Sequence, residues 1–467
     1  MCVDLDGTLL NSDILYESLL ALLARSPLHA FLIPFWLLRG KAALKRELAK
    51  RVRLPADTLP YNAQVLETLR TTSLRPRVLC TASDQMLVNP IAEHLGLFEE
   101  VIASDGLQNL SGANKARALV KRFGVRGFEY MGNGRVDLAV WGQASGAWVV
   151  NNGRKLARSA AQRTELRAHW PAPARRKTWL KALRLHQWLK NLLVFVPLVT
   201  AHRFLDSASV IEALVALVAF GLCASGVYVL NDLLDLTPDR QHPRKRNRPF
   251  AAGKLPLLHG IFVAPTLTLC GLALSLLCNP RFTAVLLVYY VMTLGYSLRL
   301  KRIVMIDVVL LAALYTVRII GGAVAIEAEP SFWLLAFSMF IFLSLALLKR
   351  YTELTMAASL GKDGASGRSY SVSDLTLVQS FGTAAGYLGV LVFALYIDSP
   401  ESQKLYATPK LLWLLCPVLL YWISRTWFVA HRGRMHDDPI VFAARDRVSQ
   451  IVGGLALLIV LAATYYQ

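Results

Sequence analysis

The stretch from Asn231 to Gly253 reads NDLLDLTPDRQHPRKRNRPFAAG and lies between two long apolar segments. Its aspartates, Asp232, Asp235 and Asp239, are three and four residues apart, a spacing that places side chains on one face of a helix. Like charges on one face repel each other, and a divalent cation such as Mg²⁺ removes this repulsion because hard cations prefer oxygen ligands. The stretch therefore predicts a metal site.

The same stretch also carries a run of bases, which includes Arg240, Lys245 and Arg248. A solvated loop at a membrane edge would show such bases as well, because cytoplasmic loops are enriched in lysine and arginine. That explanation does not account for the regular spacing of the acids. We therefore favour a site in which the acids hold a metal and the bases hold a phosphorylated substrate.

The composition sets the broad class of protein. The chain has 467 residues, is 55% hydrophobic and carries a net charge of +20, with a mean hydropathy of +0.42. Its length predicts more than one domain, and its charge predicts contact with anionic lipid headgroups and phosphorylated substrates. Because the bases flank apolar segments, we do not expect nucleic acid as a partner. The acidic segment at the start predicts no signal peptide.

Residues 1–152 alternate short apolar runs with helical patterns, which predicts an α/β domain with a parallel sheet. Polar residues stand where the apolar runs end, and they are Asp4, Asp6, Thr81, Asn133 and Asp137. Residues 14–38 are apolar but contain Pro27 and Pro34. We interpret them as a helical insertion that touches the membrane without crossing it.

Residues 153–181 hold nine bases and one acid, so we predict a basic linker that lies on an anionic membrane face. Residues 182–467 are expected to form an all-α membrane bundle, since each apolar segment is long enough to cross a hydrocarbon core of about 30 Å. The nine predicted spans cover about 188–205, 208–230, 257–278, 282–298, 303–325, 331–348, 377–397, 409–429 and 448–466.

The charges of the loops predict the orientation of the bundle. The loops after the even-numbered spans carry 17 bases, and those after the odd-numbered spans carry four. By the positive-inside rule, the even-numbered loops and the N-terminal domain are cytoplasmic and the C-terminus is outside. We thus expect a multi-pass protein of the inner (plasma) membrane, with its site on the cytoplasmic face.

The membrane part resembles the UbiA superfamily of intramembrane prenyltransferases, and within it the decaprenyl-phosphate phosphoribosyltransferase branch. This resemblance implies that Asn231, Asp232, Asp235 and Asp239 bind Mg²⁺ and the diphosphate of an activated donor. The segments that carry it, besides the aspartate-rich stretch, are HQWLKN (186–191), YSLRLKR (296–302), LYTVRIIGGA (314–323) and DDPIVF (437–442).

The chain departs from the aromatic prenyltransferases of that superfamily, which carry a second pair of aspartates after a later helix. Here the sequence is LKRYTEL (348–354). The resemblance then implies phosphoribosyl diphosphate as donor and polyprenyl phosphate as acceptor. The residues expected to bind these substrates, in addition to those of the aspartate-rich stretch, are Tyr296, Lys301, Lys349 and Arg350. Two alternatives stay open: prenyl transfer to an aromatic acceptor, and a transporter with a regulatory domain.

The N-terminal part resembles the haloacid-dehalogenase-like phosphatases through DLDGT (4–8), LCTASD (79–84) and GNGRVD (132–137). The resemblance implies that Asp4 is the nucleophile and Asp6 the general acid/base, that Thr81 or Ser83 and Lys115 bind phosphate, and that Mg²⁺ is held by Asp4, Asp6 and Asp137. The fusion of such a domain to a transferase suggests consecutive steps, so we expect it to remove the 5-phosphate from the product of the membrane site. A short first strand and Asn133, in place of the usual acid, leave open whether the domain is active.

Overall fold

The computed structural model describes residues 1–72, 76–364, 368–435 and 438–465. These residues form two compact units. The first contains Met1–Arg184 and Tyr228–Thr266, and the second contains Leu185–Val227 and the residues from Leu267 onward.

The first unit contains a parallel sheet, which confirms the predicted α/β class. Among the described residues it has six strands in the order β3-β2-β1-β4-β5-β6. The short central strand is hydrogen-bonded on both sides, because Cys2 is in register with Val78 and Tyr130. The strands are β1 (Cys2–Val3), β2 (Val78–Asp84), β3 (Glu100–Ser104), β4 (Glu129–Gly132), β5 (Gly146–Val150) and β6 (Glu165–Trp170).

Helices cover both faces of this sheet, as a parallel sheet requires. One core lies around Val3, Leu79 and Met131, and the other lies around Cys2, Tyr130 and Trp141. The helices are α1 (Ile14–Arg25), α2 (Ile33–Leu38), α3 (Lys41–Arg51), α4 (Ala63–Thr71), α5 (Gln85–Leu95), α6 (Ala113–Phe123), α7 (Leu138–Trp141), α8 (Arg154–Ala161) and α9 (Arg176–Ala182). Short 3-10 turns cover Pro27–Phe31, Ala56–Thr58 and Arg135–Asp137.

Much of the predicted basic linker is part of the α/β domain. Residues 154–161 form α8, which buries Leu156 and Ala160, and residues 165–170 form β6, which pairs in parallel with β5. The interpretation as a linker was wrong for these residues because β6 is an edge strand with charged side chains. One of them, Arg167, binds Glu129 with Nε and Oε1 2.9 Å apart. The sheet therefore extends past the predicted boundary at residue 152.

The first unit also includes the ends of two long apolar helices and the segment between them. Leu20 of α1 packs in one apolar cluster with Val229, Leu233 and Leu257. Gly253 has φ +66°, and a Cβ atom there would lie 2.8 Å from Cβ of Asn11. The aspartate-rich stretch is therefore packed directly against α1 and the loop that precedes it.

The second unit is helical. Within the described residues, eight helical segments are long and apolar enough to cross a membrane. The helices from residue 185 onward are α10 (Val196–Thr200), α11 (Ser207–Leu234), α12 (Leu236–Gln241), α13 (Leu257–Ser275), α14 (Pro280–Leu298), α15 (Ile306–Ala325), α16 (Phe332–Ser359), α17 (Leu375–Ile397), α18 (Pro400–Leu405), α19 (Leu415–His431), α20 (Pro439–Arg445) and α21 (Arg447–Tyr465). Further 3-10 turns cover Leu185–Phe195, Lys245–Asn247, Leu300–Arg302, Val372–Asp374 and Pro409–Leu414.

The first predicted span, 188–205, is not a continuous helix, so the expectation of nine spans is not confirmed. The chain forms 3-10 turns over Leu185–Phe195 and then the short helix α10. Gly322 of α15 lets this segment come close, because a Cβ atom there would lie 2.1 Å from the carbonyl oxygen of Val194. The segment also carries Lys190 and Asn191, which are both buried, and buried polar groups need partners.

Candidate functional site

The three aspartates of the first unit keep helical spacing although the helix is interrupted. Asp235 lies between α11 and α12 with φ −97° and ψ 22°. Its N–H still donates to the carbonyl of Asn231 at 2.9 Å, and the N–H of Asp239 donates to the carbonyl of Asp235 at 2.9 Å. The predicted stacking of the acids is thus retained across the break.

Asp232 and Asp239 are both buried and share one arginine. Nη1 of Arg248 lies 3.2 Å from Oδ1 of Asp232 and 2.6 Å from Oδ2 of Asp239. Arg184 also donates to Asp232. Burial raises the pKa of Asp239, and the guanidinium of Arg248 opposes that rise.

These residues fit a divalent cation by the chemistry of their donors. In the described part of the chain, no three histidine, cysteine or acidic side chains are grouped closely enough to hold a metal ion. Asp232 and Asp239 nevertheless both lie within 3.2 Å of a single positively charged nitrogen. Carboxylate oxygens are the ligands that hard cations prefer, and Asp235 precedes Asp239 by one helical turn.

The two bases predicted beside these acids lie in different surroundings. Arg240 forms a buried, bidentate ion pair with Glu17 of α1, with nitrogen–oxygen distances of 2.6 and 3.1 Å, and its Nε donates to the carbonyl of Ala251 at 2.9 Å. Lys245 is exposed. Sequence analysis missed Glu17 because nothing in an apolar helix indicates a partner more than 200 residues away.

The second unit contains a cluster in which two bases share one acid. Nζ of Lys190 and Nζ of Lys349 lie 2.7 and 2.9 Å from the same oxygen, Oδ2 of Asp438. Burial would raise the pKa of Asp438, but the ammonium groups of Lys349 and Lys190 hold it well below its usual range. Lys190 was not predicted, although a lysine in an apolar segment is a recognised sign of function. Asp437 lies outside the described residues.

The side chain of Arg350 points away from that of Lys349, because adjacent residues on a helix point about 100° apart. Arg350 is fully buried and its Nε lies 2.9 Å from Oδ2 of Asp307; it also binds Glu353. Arg368 contacts the same two acids at 3.2 and 3.3 Å. Nη1 of Arg368 further donates to the hydroxyl of Tyr296 at 3.3 Å and the carbonyl of Lys301 at 3.4 Å.

Two of the predicted substrate residues, Tyr296 and Arg350, thus meet in one cluster organised by Asp307 and Arg368, which Lys301 contacts through its backbone carbonyl. Neither Asp307 nor Arg368 was predicted. Another buried base of this unit, Arg318, is held by Asn191 and Tyr289, each at 2.8 Å. These partners satisfy a charge that would otherwise be costly within a membrane span.

The predicted residues of the α/β domain meet where β1, β2 and β4 end. Nζ of Lys115 donates to Oδ1 of Asp4 at 2.8 Å and to the hydroxyl of Tyr130 at 2.8 Å. That hydroxyl donates to Oδ1 of Asp137 at 3.0 Å. Burial raises the pKa of Asp4, and the ammonium group of Lys115 opposes the rise.

Asp6 lies in the same group and accepts hydrogen bonds from three donors. Oγ of Ser83 is 2.7 Å and Oγ1 of Thr81 is 3.4 Å from its Oδ2, and the N–H of Ile14 is 2.7 Å from its Oδ1. Gly7 has φ +73°, and a Cβ atom there would lie 1.9 Å from Nδ2 of Asn133. Glycine is therefore required at this turn, and Asn133 lies directly over it.

The fold and these clusters define a multi-pass membrane protein with carboxylate-rich and base-rich sites. The sequence model of the UbiA prenyltransferase family matches residues 193–445. The chain therefore belongs to the UbiA prenyltransferase family and is a membrane transferase of that family.

The chain is also similar to individual proteins. The chain is 38% identical to the uncharacterized protein y4nM of Sinorhizobium fredii over 97% of its own length and 88% of that protein. It is 31% identical to decaprenyl-phosphate phosphoribosyltransferase of Mycolicibacterium smegmatis over 58% of its own length and 88% of that enzyme. A structure of a UbiA homologue from Archaeoglobus fulgidus, bound to GPP and Mg²⁺, is 16% identical, with a TM-score of 0.47, and the match covers 61% of this chain and 99% of that one.

Proposed function

We propose that the membrane part transfers phosphoribose from phosphoribosyl diphosphate to polyprenyl phosphate and releases diphosphate. The observation that carries the proposal is the cluster of Lys190, Lys349 and Asp438 in the second unit, which has two bases for one acid. A surplus of positive charge is suited to a monophosphate, since ammonium groups bind phosphate oxygens strongly. The similarity to decaprenyl-phosphate phosphoribosyltransferases supports the same substrates.

We assign the binding of the metal, the donor and the lipid phosphate to different residues. Asp232, Asp235 and Asp239 would hold Mg²⁺, which neutralises the charge that develops on the departing diphosphate. Asn231, Arg248 and Lys245 are placed along the same stretch to orient the donor. The bond between the ribose C1 and the diphosphate breaks, and an oxygen of the lipid phosphate bonds to C1 in its place. Lys190 and Lys349 position that lipid phosphate.

A parallel assay with two substrate pairs tests this proposal. Membranes that contain the protein are given labelled phosphoribosyl diphosphate with polyprenyl phosphate or, in parallel, a polyprenyl diphosphate with labelled 4-hydroxybenzoate. We expect a labelled lipid product only from the first pair, with loss of product when Mg²⁺ is chelated. Product from the second pair alone would instead establish prenyl transfer to an aromatic acceptor.

We further propose that the α/β domain removes the 5-phosphate from this product. Asp4 would attack phosphorus, and the bond between phosphorus and the sugar oxygen would break as Asp6 gives that oxygen a proton. Water would then break the bond between phosphorus and Asp4, which releases phosphate and restores the carboxylate. Thr81, Ser83 and Lys115 would bind the phosphate, and Asp4, Asp6 and Asp137 would hold Mg²⁺, which neutralises phosphate charge. The convergence of Asp4, Asp6 and Lys115 at the strand ends supports this role.

The test of the phosphatase proposal is Asp4→Asn in membranes supplied with phosphoribosyl diphosphate and polyprenyl phosphate. We expect the phosphorylated lipid to accumulate at an unchanged rate of transfer, because the substitution leaves the membrane clusters intact. Identical product mixtures from the wild type and the variant would show that this domain does not act on the product.

The proposed orientation places the segment 231–256 in the cytoplasm of a cell with this protein in its plasma membrane. Arg246 and Gln403 are both exposed and are suited to single-cysteine labelling in a cysteine-free background. An impermeant thiol reagent on intact cells should label Gln403→Cys at once and Arg246→Cys only after permeabilisation. The reverse pattern would invert the topology.

A further inference from the structure

The segment between α1 and α3 of the α/β domain exposes large apolar side chains. The four most exposed are Leu28, Phe31, Phe35 and Leu38, whose side chains are 74%, 73%, 65% and 86% exposed. We call these four residues the apolar face. Exposed apolar groups of this size, close together in one short segment, mark an interaction surface.

The apolar face is held in place by the other side of the same segment. Trp36 is only 7% exposed and packs with Leu22, Leu44 and Leu48 in a separate small core. The guanidinium of Arg51 covers the Trp36 ring at 4.7 Å. The four apolar side chains are therefore presented outward by a packed element.

The charges around the apolar face are positive. Arg25, Arg39 and Lys41 are exposed at its two ends, and residues 25–41 contain no acid. An apolar surface bordered by bases complements a bilayer with anionic headgroups, which accepts apolar side chains below and attracts lysine and arginine at its surface.

The packing of the first unit indicates where the bilayer lies. Helix α1, which leads directly into the apolar face, packs through Leu20 against Val229, Leu233 and Leu257. These residues belong to the ends of two of the membrane-crossing segments, Ser207–Leu234 and Leu257–Ser275. Residues 27–38 would extend about 18 Å as a helix, less than the hydrocarbon core of about 30 Å, so they are suited to lie in the interface and not to cross it.

We infer that residues 27–38 are an interfacial membrane anchor, which inserts Leu28, Phe31, Phe35 and Leu38 into the headgroup region of an anionic bilayer. The anchor holds the α/β domain at the membrane surface in addition to the packing of α1 against the ends of the two apolar helices. The inference does not depend on the substrates of either site.

Depth-dependent fluorescence quenching tests the anchor in the full-length protein. A cysteine-free protein carries one cysteine, Phe31→Cys or Leu38→Cys, labelled with an environment-sensitive dye and reconstituted in phosphatidylcholine–phosphatidylglycerol vesicles. Val125→Cys is the matched control, because Val125 is an apolar residue of the same domain and is 63% exposed. Lipids with a spin label near the headgroup should quench the dye at residues 31 and 38 at least threefold more than at residue 125.

Two results would overturn the inference. Equal quenching at residues 38 and 125 would place the apolar face in water. A dye at residue 38 that is shielded from labelled lipids, and crosslinks to a second copy, would make the face a protein interface. Replacing phosphatidylglycerol by phosphatidylcholine should weaken the quenching at residue 38, and unchanged quenching would contradict the role of the bases.

Discussion

The aspartate-rich stretch and the lysine cluster differ in which charge is shared by two partners. Around Arg248, two buried acids, Asp232 and Asp239, share one guanidinium nitrogen. Around Asp438, two lysines share one carboxylate oxygen. Burial makes uncompensated charge costly. In the proposed assignment, the first cluster would therefore take a cation with its diphosphate, and the second would take an anion.

The largest effect is expected from removing an acid of the first cluster. Asp232→Asn should lower transfer by about 100-fold or more, since the amide cannot supply the charge that stabilises a departing diphosphate through a cation. The rate of lipid labelling at saturating Mg²⁺ measures this loss. Glu329→Gln, at an exposed acid of the second unit, is the matched control and should leave the rate unchanged. Near-normal turnover of Asp232→Asn would disprove the metal site.

A smaller effect is expected from the second cluster. Lys349→Met should raise the KM for polyprenyl phosphate by about 10- to 100-fold, the usual cost of one charge-assisted hydrogen bond. The KM for phosphoribosyl diphosphate should stay within about twofold. Lys349→Arg, which keeps the charge, should restore most of the lipid affinity. A selective rise in the KM of the sugar donor would reverse the assignment of the two clusters.

The smallest effect on transfer is expected from the ion pair between Glu17 and Arg240. Glu17→Gln leaves the buried guanidinium of Arg240 without its carboxylate, and breaking a buried pair costs about 3–5 kcal/mol of stability. The thermal unfolding midpoint of the purified protein should therefore fall. Transfer at a permissive temperature should be nearly unchanged, because Arg240 serves the structure. A raised KM for the donor at full stability would show instead that Arg240 binds substrate.

These two clusters differ in how far the sequence could predict them. The acids of the first lie within one short stretch, so their spacing alone indicates a shared face. Lys349 and Asp438 are 89 residues apart, and Lys190 and Asp438 are 248 residues apart. Only tertiary packing brings such residues together, and for that reason Lys190 was missed.

In the α/β domain, too, some features were predictable from the sequence and others were not. Asp4, Asp6, Thr81 and Asp137 were predictable because the ends of neighbouring parallel strands meet at one edge of a sheet. Lys115, which lies in α6, was predicted only through the family resemblance. Residues 165–170 were not recognised as a strand because charged side chains on an edge strand obscure the apolar pattern. Eight of the predicted spans coincide with long apolar helices among the described residues. The ninth does not, because residues 185–195 form 3-10 turns that bury Lys190 and Asn191.

A binding experiment with two variants and two ligands tests most directly whether each cluster binds a different substrate. The purified wild type, Asp232→Asn and Lys349→Met are each titrated with phosphoribosyl diphosphate plus Mg²⁺ and, separately, with polyprenyl phosphate in lipid nanodiscs. The account predicts that Asp232→Asn loses affinity only for the diphosphate donor, whereas Lys349→Met loses affinity only for the lipid phosphate. Equal loss of both ligands in either variant, with an unchanged unfolding midpoint, would contradict it.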